Sequence, residues 1–380
     1  MKNIKFKKIK GYIEGYYGKL LSWNQRIDIL KCLSQNRMNF YFYCPKEDLY
    51  HRYQWKKKYP YIWARKFEQF CDVAKNNKVN VIAGVSPGLN LNFKSFLKND
   101  FKEFKILLRK LVFLKNKGAN CLALLLDDIP NNYQNYCTAQ EEGIIHAKLI
   151  NKLYENLQSP FFVVPRIYSE ELFEENKDYL NHFLKELNEN IYIFYCGKYI
   201  VSKEFKSSKK FINSKVVENK IVFWDNFYAN DYCPKRLIVG PWNNKNIQDY
   251  SMINGTGLVN TDKLILEIVN KTSKIKNKIK NWKNVIIKNK IPEEFFKVSI
   301  FFNSPNFTNE VNVKKIKFNN TILNELDTLI WKWKSPLSLE WYQYLLNLRH
   351  DLQILNNELP FNRILKTQTK PIQIKLINKE

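Results

Sequence analysis

Short apolar runs alternate along this chain with longer stretches whose apolar residues recur every three or four positions. The short runs at 8–13, 39–44, 79–85, 121–126, 161–164, 191–195, 221–224 and 257–259 predict strands. The longer stretches at 23–36, 62–76, 101–117, 138–157, 169–189, 202–211 and 264–282 predict helices, the first opened by Ser22 as a cap. Several strand runs are apolar throughout, so both faces of their sheet must be covered, which is the habit of parallel β/α architecture. Eight strand candidates, each followed by a helix or a long loop, fill residues 1–282. That count and length fit an α/β chain folded as a (β/α)8 TIM barrel, typically about 250 residues. A doubly wound open sheet is the alternative, but no GxGxxG or GxxxxGK follows any of the runs. Residues 283–380 differ. Leucine and aromatic residues at helical spacing over 327–333 and 338–357, punctuated by Pro336, predict a small helical C-terminal region.

Composition narrows the class. Of the 380 residues 45% are hydrophobic and 15% aromatic, enough for a sizeable core and incompatible with global disorder. No run approaches the ~18–20 apolar residues of a bilayer span. The charged first residues are followed by no apolar core of a signal peptide, so a cytoplasmic location is expected. Seven scattered cysteines without a CxxC pair read as small core residues of a reduced compartment. The four histidines stand far apart with no HExxH, which argues against zinc.

Lys+Arg 62 against Asp+Glu 36 leaves a net charge of +26. That would suit a polyanion, yet the chain is rich in Lys, Asn, Ile, Tyr and Phe and poor in Gly and Pro, a usage that drift in codon content produces without any such partner. No recognition motif beyond the charge points to nucleic acid. The basic stretch 274–290 reads as a solvated helix face.

Polar residues follow the apolar runs: Glu14-Gly15, Pro45-Lys46, Ser86-Pro87-Gly88, Asp127-Asp128, Pro165 to Tyr168, Trp224-Asp225-Asn226 and Asn260. In a barrel all strands end at one mouth, so one rule of register gathers these groups into one pocket. Asp127-Asp128 is the sharpest feature. Two acids close a wholly apolar run, where desolvation is costly. Sharing a pocket, they would push each other's proton affinities apart, leaving one ionised and the other able to act as a general acid. A Mg²⁺ site is the rival reading, with Glu14, Asp225 and Asp231 as further carboxylates. Adjacent acids also approach a substrate from one side, unlike the flanking pair of a double-displacement glycosidase. They suit a substrate-assisted route, in which a sugar's 2-acetamido oxygen attacks its own anomeric carbon. Tyr12, Tyr16, Tyr17, Trp224, Phe227, Tyr228, Tyr232 and Trp242 cluster near the same ends and offer faces for pyranose rings.

Five segments together resemble glycoside hydrolase family 84. They are Gly11-Tyr-Ile-Glu-Gly-Tyr-Tyr-Gly18, Tyr43-Cys-Pro-Lys-Glu-Asp48 with His51-Arg52, Leu126-Asp-Asp-Ile129, Val164-Pro165, and Trp224-Asp-Asn-Phe-Tyr-Ala-Asn-Asp-Tyr232. That family includes protein O-GlcNAcases, bacterial β-N-acetylglucosaminidases and clostridial "hyaluronidases". The resemblance covers residues 9–282 and implies a retaining exo-β-N-acetylglucosaminidase that needs neither metal nor organic cofactor. The implied substrate is a terminal β-linked N-acetylglucosamine on a glycoside or glycoprotein. By motif, Asp127 would orient the acetamido group and Asp128 would be general acid and then base. Tyr168 would hydrogen-bond the acetamido oxygen. Gly15 and Lys46 would bind the 3-hydroxyl side, Asp231 and Asn260 the 4- and 6-hydroxyls. Asn226 would fix the acetamido group, and Trp224 would wall the pocket. The family's usual Trp-Thr-Gly after the sixth strand is Tyr195-Cys196-Gly197 here, and Pro165-Arg166-Ile167 and Gly18-Lys19-Leu20 also depart from its pattern. A non-catalytic glycan-binding protein that kept the pocket is the alternative function.

Overall fold

The structure is a computed structural model that describes residues 6–93, 101–129, 137–172, 177–202, 220–233, 235–242, 249–273, 277–303 and 320–355. Eight strands, β1 Ile9–Glu14, β2 Phe40–Tyr43, β3 Asn80–Val85, β4 Cys121–Leu125, β5 Phe161–Val164, β6 Tyr192–Tyr195, β7 Ile221–Asp225 and β8 Tyr250–Asn254, form a closed barrel in chain order. Every neighbouring pair is parallel, and β8 returns to β1 with Ile13 beside Asn254. Around them lie α1 Trp23–Gln35, α2 Tyr61–Asn76, α3 Lys102–Asn116, α4 Ala139–Leu157, α5 Lys177–Glu186 and α6 Val259–Thr272. Ser22 and Thr138 begin α1 and α4 with reciprocal capping boxes to Gln25 and Glu141, which satisfy otherwise orphaned N–H groups. The expected (β/α)8 barrel is thus the architecture found.

Alternation along each strand divides the core in two. One set of side chains, among them Ile13, Phe40, Phe42, Leu125, Phe162, Phe194, Val222 and Trp224, fills the barrel interior. The intervening residues, such as Tyr12, Tyr41, Val81, Leu122, Leu124 and Val163, pack outward against the helices. Inside, the Phe42 and Phe194 rings stack with centroids 5.0 Å apart, and both meet the Trp224 indole edge-on.

Three sequence expectations change. The last strand is Tyr250–Asn254, not 257–259. Its Tyr-Ser-Met-Ile-Asn sequence is interrupted by Ser251 and Asn254 and so lacks the continuous run, while Gly257 turns at φ +73° into α6. The single Lys-rich helix over 264–282 is two: α6 stops at Thr272, and α7 Lys278–Lys288 restarts after Asn277, which takes φ +60°. α7 buries Trp282, Val285 and Ile286 while Lys280, Lys283 and Lys288 face solvent. The helix over 169–189 is a 3-10 turn, Glu170–Leu172, and then α5. The helix over 202–211 falls on residues outside the described ones except Ser202.

Beyond α7 a helical turn, Phe295–Val298, leads to α8 Asn320–Asp327, a wide π-type turn Thr328–Lys332, and α9 Pro336–Leu355. Trp341 of α9 is fully buried against Phe295 and Trp333. Residue 282, where the sequence divides barrel from C-terminal region, lies within α7. No helix among the described residues is long and apolar enough to cross a membrane.

A buried polar cluster ties α4 and α5 to the loop after β5. Arg166 pairs with Glu142 at 2.6 Å, its guanidinium lies 4.7 Å from the Tyr179 ring, and His146 Nδ1 sits 2.9 Å from the Tyr179 hydroxyl. Burial, with the Arg166 charge adding to it, pushes His146 down to about 3. Such a histidine takes up a proton on unfolding only, so its contribution is present above pH 6.5 and is lost as pH falls below it. The stability of the wild type relative to His146→Gln is therefore expected to fall by about 1.4 kcal/mol between pH 7.5 and 5.5. Denaturant midpoints of the two proteins at both pH values measure this; a pH-independent difference would sink it.

Candidate active site

At the C-terminal ends of the strands lies a cavity of ≈ 400 Å³, a size usual for small-molecule sites. Gly15, Lys46, Asp127, Asp128, Tyr168, Trp224, Asn226 and Asp231 all line it. Five different strands or their loops supply these residues, so only barrel closure assembles them.

β4 ends at Leu125, and the two acids follow within three residues. Asp128 takes φ +53°, in the left-handed region that Asp tolerates better than most residues at a cost of roughly 1 kcal/mol. That turn lets neighbours that would point apart on a strand face one cavity. They sit at different depths. The Asp127 side chain is 7% exposed and that of Asp128 33%.

Each acid has its own set of partners. The Lys46 ammonium donates to Asp127 Oδ2 and lies 3.9 Å from Asp128 Oδ2. Asp127 Oδ1 is buried with no hydrogen-bond partner among the described residues. Asp128 accepts from the Tyr17 hydroxyl at 2.6 Å and the Tyr168 hydroxyl at 2.9 Å. Arg52 in turn donates to the Tyr17 oxygen at 2.7 Å and to the Asp128 carbonyl at 3.3 Å. Burial pushes the Asp127 carboxyl up, with Lys46 opposing and the Asp128 charge reinforcing the shift. Burial acts on Asp128 in the same sense, but Lys46, the two phenols and Arg52 together outweigh it and hold that carboxyl below its ordinary value. The two environments therefore separate the acids, with negative charge favoured on Asp128 in the unliganded cavity.

Lys46 is held by the loop after β2. There Asp48 accepts from the Tyr43 hydroxyl at 2.5 Å, Tyr50 N at 2.8 Å and Trp63 Nε1 at 3.0 Å, which fixes the turn behind the lysine. His51 Nδ1 meets the Gly84 carbonyl at 2.9 Å, and burial pushes this imidazole down to about 3. It is a neutral structural group.

The opposite wall is an amide chain. Asn254 Nδ2 donates to Asn226 Oδ1 at 2.9 Å, Trp224 Nε1 donates to the same oxygen at 2.9 Å, and Gly15 N donates to Asn254 Oδ1 at 3.2 Å. Asp231 accepts from Tyr17 N and Tyr232 N, each at 3.0 Å. A Cβ on Gly15 would come within 2.4 Å of the Trp224 ring. Gly15→Ala is accordingly expected to displace that indole and lower kcat/KM about five- to 150-fold, an overpacking penalty of about 1–3 kcal/mol. Steady-state kinetics check it, and unchanged constants would remove Gly15 from the cavity wall.

Asn260 is a correction. It lies on the first turn of α6, away from the cavity, where its backbone N–H and side-chain amide donate to Glu340. The amide at the end of the last strand is Asn254, which lines the cavity. The error follows from placing that strand five residues late. Among the aromatic candidates, Tyr17, Trp224 and Tyr232 line the cavity. Tyr12, Tyr16, Phe227, Tyr228 and Trp242 are buried in the packing outside the barrel interior. Glu14 is bound bidentately by Arg26, and Asp225 accepts from Trp242 Nε1 at 2.7 Å, so neither reaches the acid pair as a metal ligand. Among the described residues no group of three His, Cys, Asp or Glu side chains is disposed to hold a metal. Cys196, where the sequence departs from Trp-Thr-Gly, lines the cavity beside Phe194 and Val164.

A family model described as beta-N-acetylglucosaminidase matches residues 10–261. The chain belongs to the beta-N-acetylglucosaminidase family. This is glycoside hydrolase family 84, which its motifs resemble. The chain is 31% identical over 248 residues to the protein O-GlcNAcase of Mus musculus and equally to that of Rattus norvegicus, matches that cover 63% of this chain and 26% of each relative. It thus spans about a quarter of the length of these curated relatives. A solved structure titled "Structure of CpGH84B" superimposes with a TM-score of 0.72 at 22% identity, over 98% of this chain and 73% of its own, and shares its fold. The segment matching the beta-N-acetylglucosaminidase family carries every residue of the acid pair's surroundings, from Gly15 to Asn254.

Proposed function

We propose that the protein is a retaining exo-β-N-acetylglucosaminidase acting on terminal β-linked N-acetylglucosamine, of the O-GlcNAc type, by substrate-assisted catalysis. The observation that carries this reading is the unequal acid pair: a deep carboxylate with one buried, unpartnered oxygen beside a shallower one hydrogen-bonded by two phenols.

Asp127 Oδ1 is the acceptor for the acetamido N–H, and Lys46 opposes the effect of burial and so favours the charged form of this carboxylate as positive charge builds on the sugar. The acetamido oxygen attacks C1 while the glycosidic C–O bond breaks and Asp128 gives its proton to the departing oxygen. The result is a bicyclic oxazoline whose nitrogen faces Asp127. Asp128 then takes a proton from water, the water oxygen bonds to C1, and the ring C–O bond opens to restore the acetamide. Two inversions give retention.

Binding itself would correct the charge distribution of the empty pocket. A donor on Asp127 favours its ionised form. A Tyr168 hydroxyl turned toward the acetamido oxygen no longer donates to Asp128, and the loss of that bond raises Asp128 toward the protonated state an acid requires.

Hydrolysis of an aryl β-N-acetylglucosaminide, with and without chelator and beside the analogue lacking the acetyl group, tests the proposal. Turnover is expected with chelator and is expected to vanish without the acetyl group. Equal turnover of both sugars would refute the substrate-assisted route. Binding without any turnover would leave the non-catalytic reading.

A further inference from the structure

The C-terminal helix α9 reaches the two loops that follow β7 and β8 through two polar side chains, the buried Tyr344 and the half-buried Glu340. Tyr344, 9% exposed, accepts at its hydroxyl from Asn230 Nδ2 at 3.1 Å. The same Asn230 amide donates to the Arg236 carbonyl at 3.0 Å and so ties the loop to itself. Asn230 immediately precedes Asp231, whose carboxylate stands in the cavity. One turn earlier on α9, the Glu340 carboxylate accepts four hydrogen bonds at 2.7–2.9 Å from the backbone and side chains of Asn260 and Thr261 at the start of α6. The next residue, Asp262, holds Thr256 N at 2.8 Å and Gly257 N at 3.1 Å, which fixes the turn just after Asn254. Two lines of contact therefore run from one helix to two walls of the sugar pocket.

We propose that Tyr344 and Glu340 are positioning residues for sugar recognition: the C-terminal helix braces the loops that present Asp231 and Asn254 to the substrate's ring hydroxyls. The inference rests on the reading of the cavity as an N-acetylglucosamine pocket. It gives the helical region a part in the reaction without contact to substrate. Tyr344→Phe keeps the ring and its packing and removes one acceptor from Asn230. A single neutral hydrogen bond lost at a buried site corresponds to about a fivefold change in an equilibrium constant. The brace acts on ring binding rather than on bond breaking, so the change belongs in KM.

The experiment compares an aryl β-N-acetylglucosaminide with its 4-deoxy analogue, for the full chain and for Tyr344→Phe, well below the melting temperature. The expected result is a KM raised about fivefold with kcat within about twofold, and a smaller difference between the two sugars. Glu340→Gln, which turns an amide donor toward donors, carries the same test should Tyr344→Phe not fold. Unchanged KM and unchanged discrimination, or a fall in kcat alone that follows the folded fraction, would overturn the proposal. If the wild type hydrolyses no N-acetylglucosaminide, the proposed activity fails by itself. The brace is then read by amide hydrogen exchange at Tyr232, whose N–H donates to Asp231. Faster exchange in Tyr344→Phe supports it and unchanged exchange refutes it.

Discussion

Asp128→Asn is expected to lower kcat/KM by about 10²–10⁴ for an alkyl or peptide-linked N-acetylglucosaminide, the usual worth of a placed general acid. The loss is expected to be much smaller for an aryl glycoside with a good leaving group, because that oxygen departs without a proton. The geometry makes Asn a clean substitution. Its amide retains acceptor and donor capacity toward the Tyr17 and Tyr168 hydroxyls, and Asn tolerates the left-handed backbone that residue 128 adopts. A fold defect therefore should not mimic the chemical one. Kinetics across leaving groups of graded acidity make the measurement. Equal losses along the series would remove Asp128 from the acid's role.

Asp127→Asn is expected to act differently. It removes the charge that faces the developing oxazoline, so kcat should fall by about 10²–10³ whatever the leaving group, as when a preorganised electrostatic contact is deleted. Inhibitors that mimic the oxazoline should weaken alongside. The change also leaves Lys46, 2% exposed, without its direct charged partner; among the described residues the Asp128 carboxylate, 3.9 Å away, remains to answer its charge. A loss of stability of about 3 kcal/mol follows, at the low end for a broken buried pair. Inhibition constants and denaturant midpoints on one preparation check both parts. Unchanged affinity for the mimics would refute the assignment of Asp127 to the acetamido group.

Much of this arrangement was legible in the order of residues. The runs at Cys121–Leu125 and Phe161–Val164 are apolar on both faces because interior and helix layer flank them, so they stood out as barrel strands. Two acids directly after such a run marked the cavity floor. What stayed hidden was parity. Ile13 points into the barrel, so Tyr12 before it must point out and bonds Asp262. Nothing in the composition of that stretch says which of the two faces in. Asn254 was hidden for a related reason: β8 carries Ser251 and Asn254 among its five residues, and a half-polar strand resembles a loop. Arg52 and Tyr17 act through hydroxyl and guanidinium contacts across three loops, a juxtaposition that only the closed sheet creates.

Closure of β8 onto β1 also sets an order in time. The cavity draws on residues from Gly15 to Asn254, and its amide wall joins Gly15 directly to Asn254. During translation the first strand must therefore wait, its edge unpaired, until the eighth has left the ribosome. A polypeptide halted before that point would expose an adhesive strand edge and lack the Asn254 end of the amide wall.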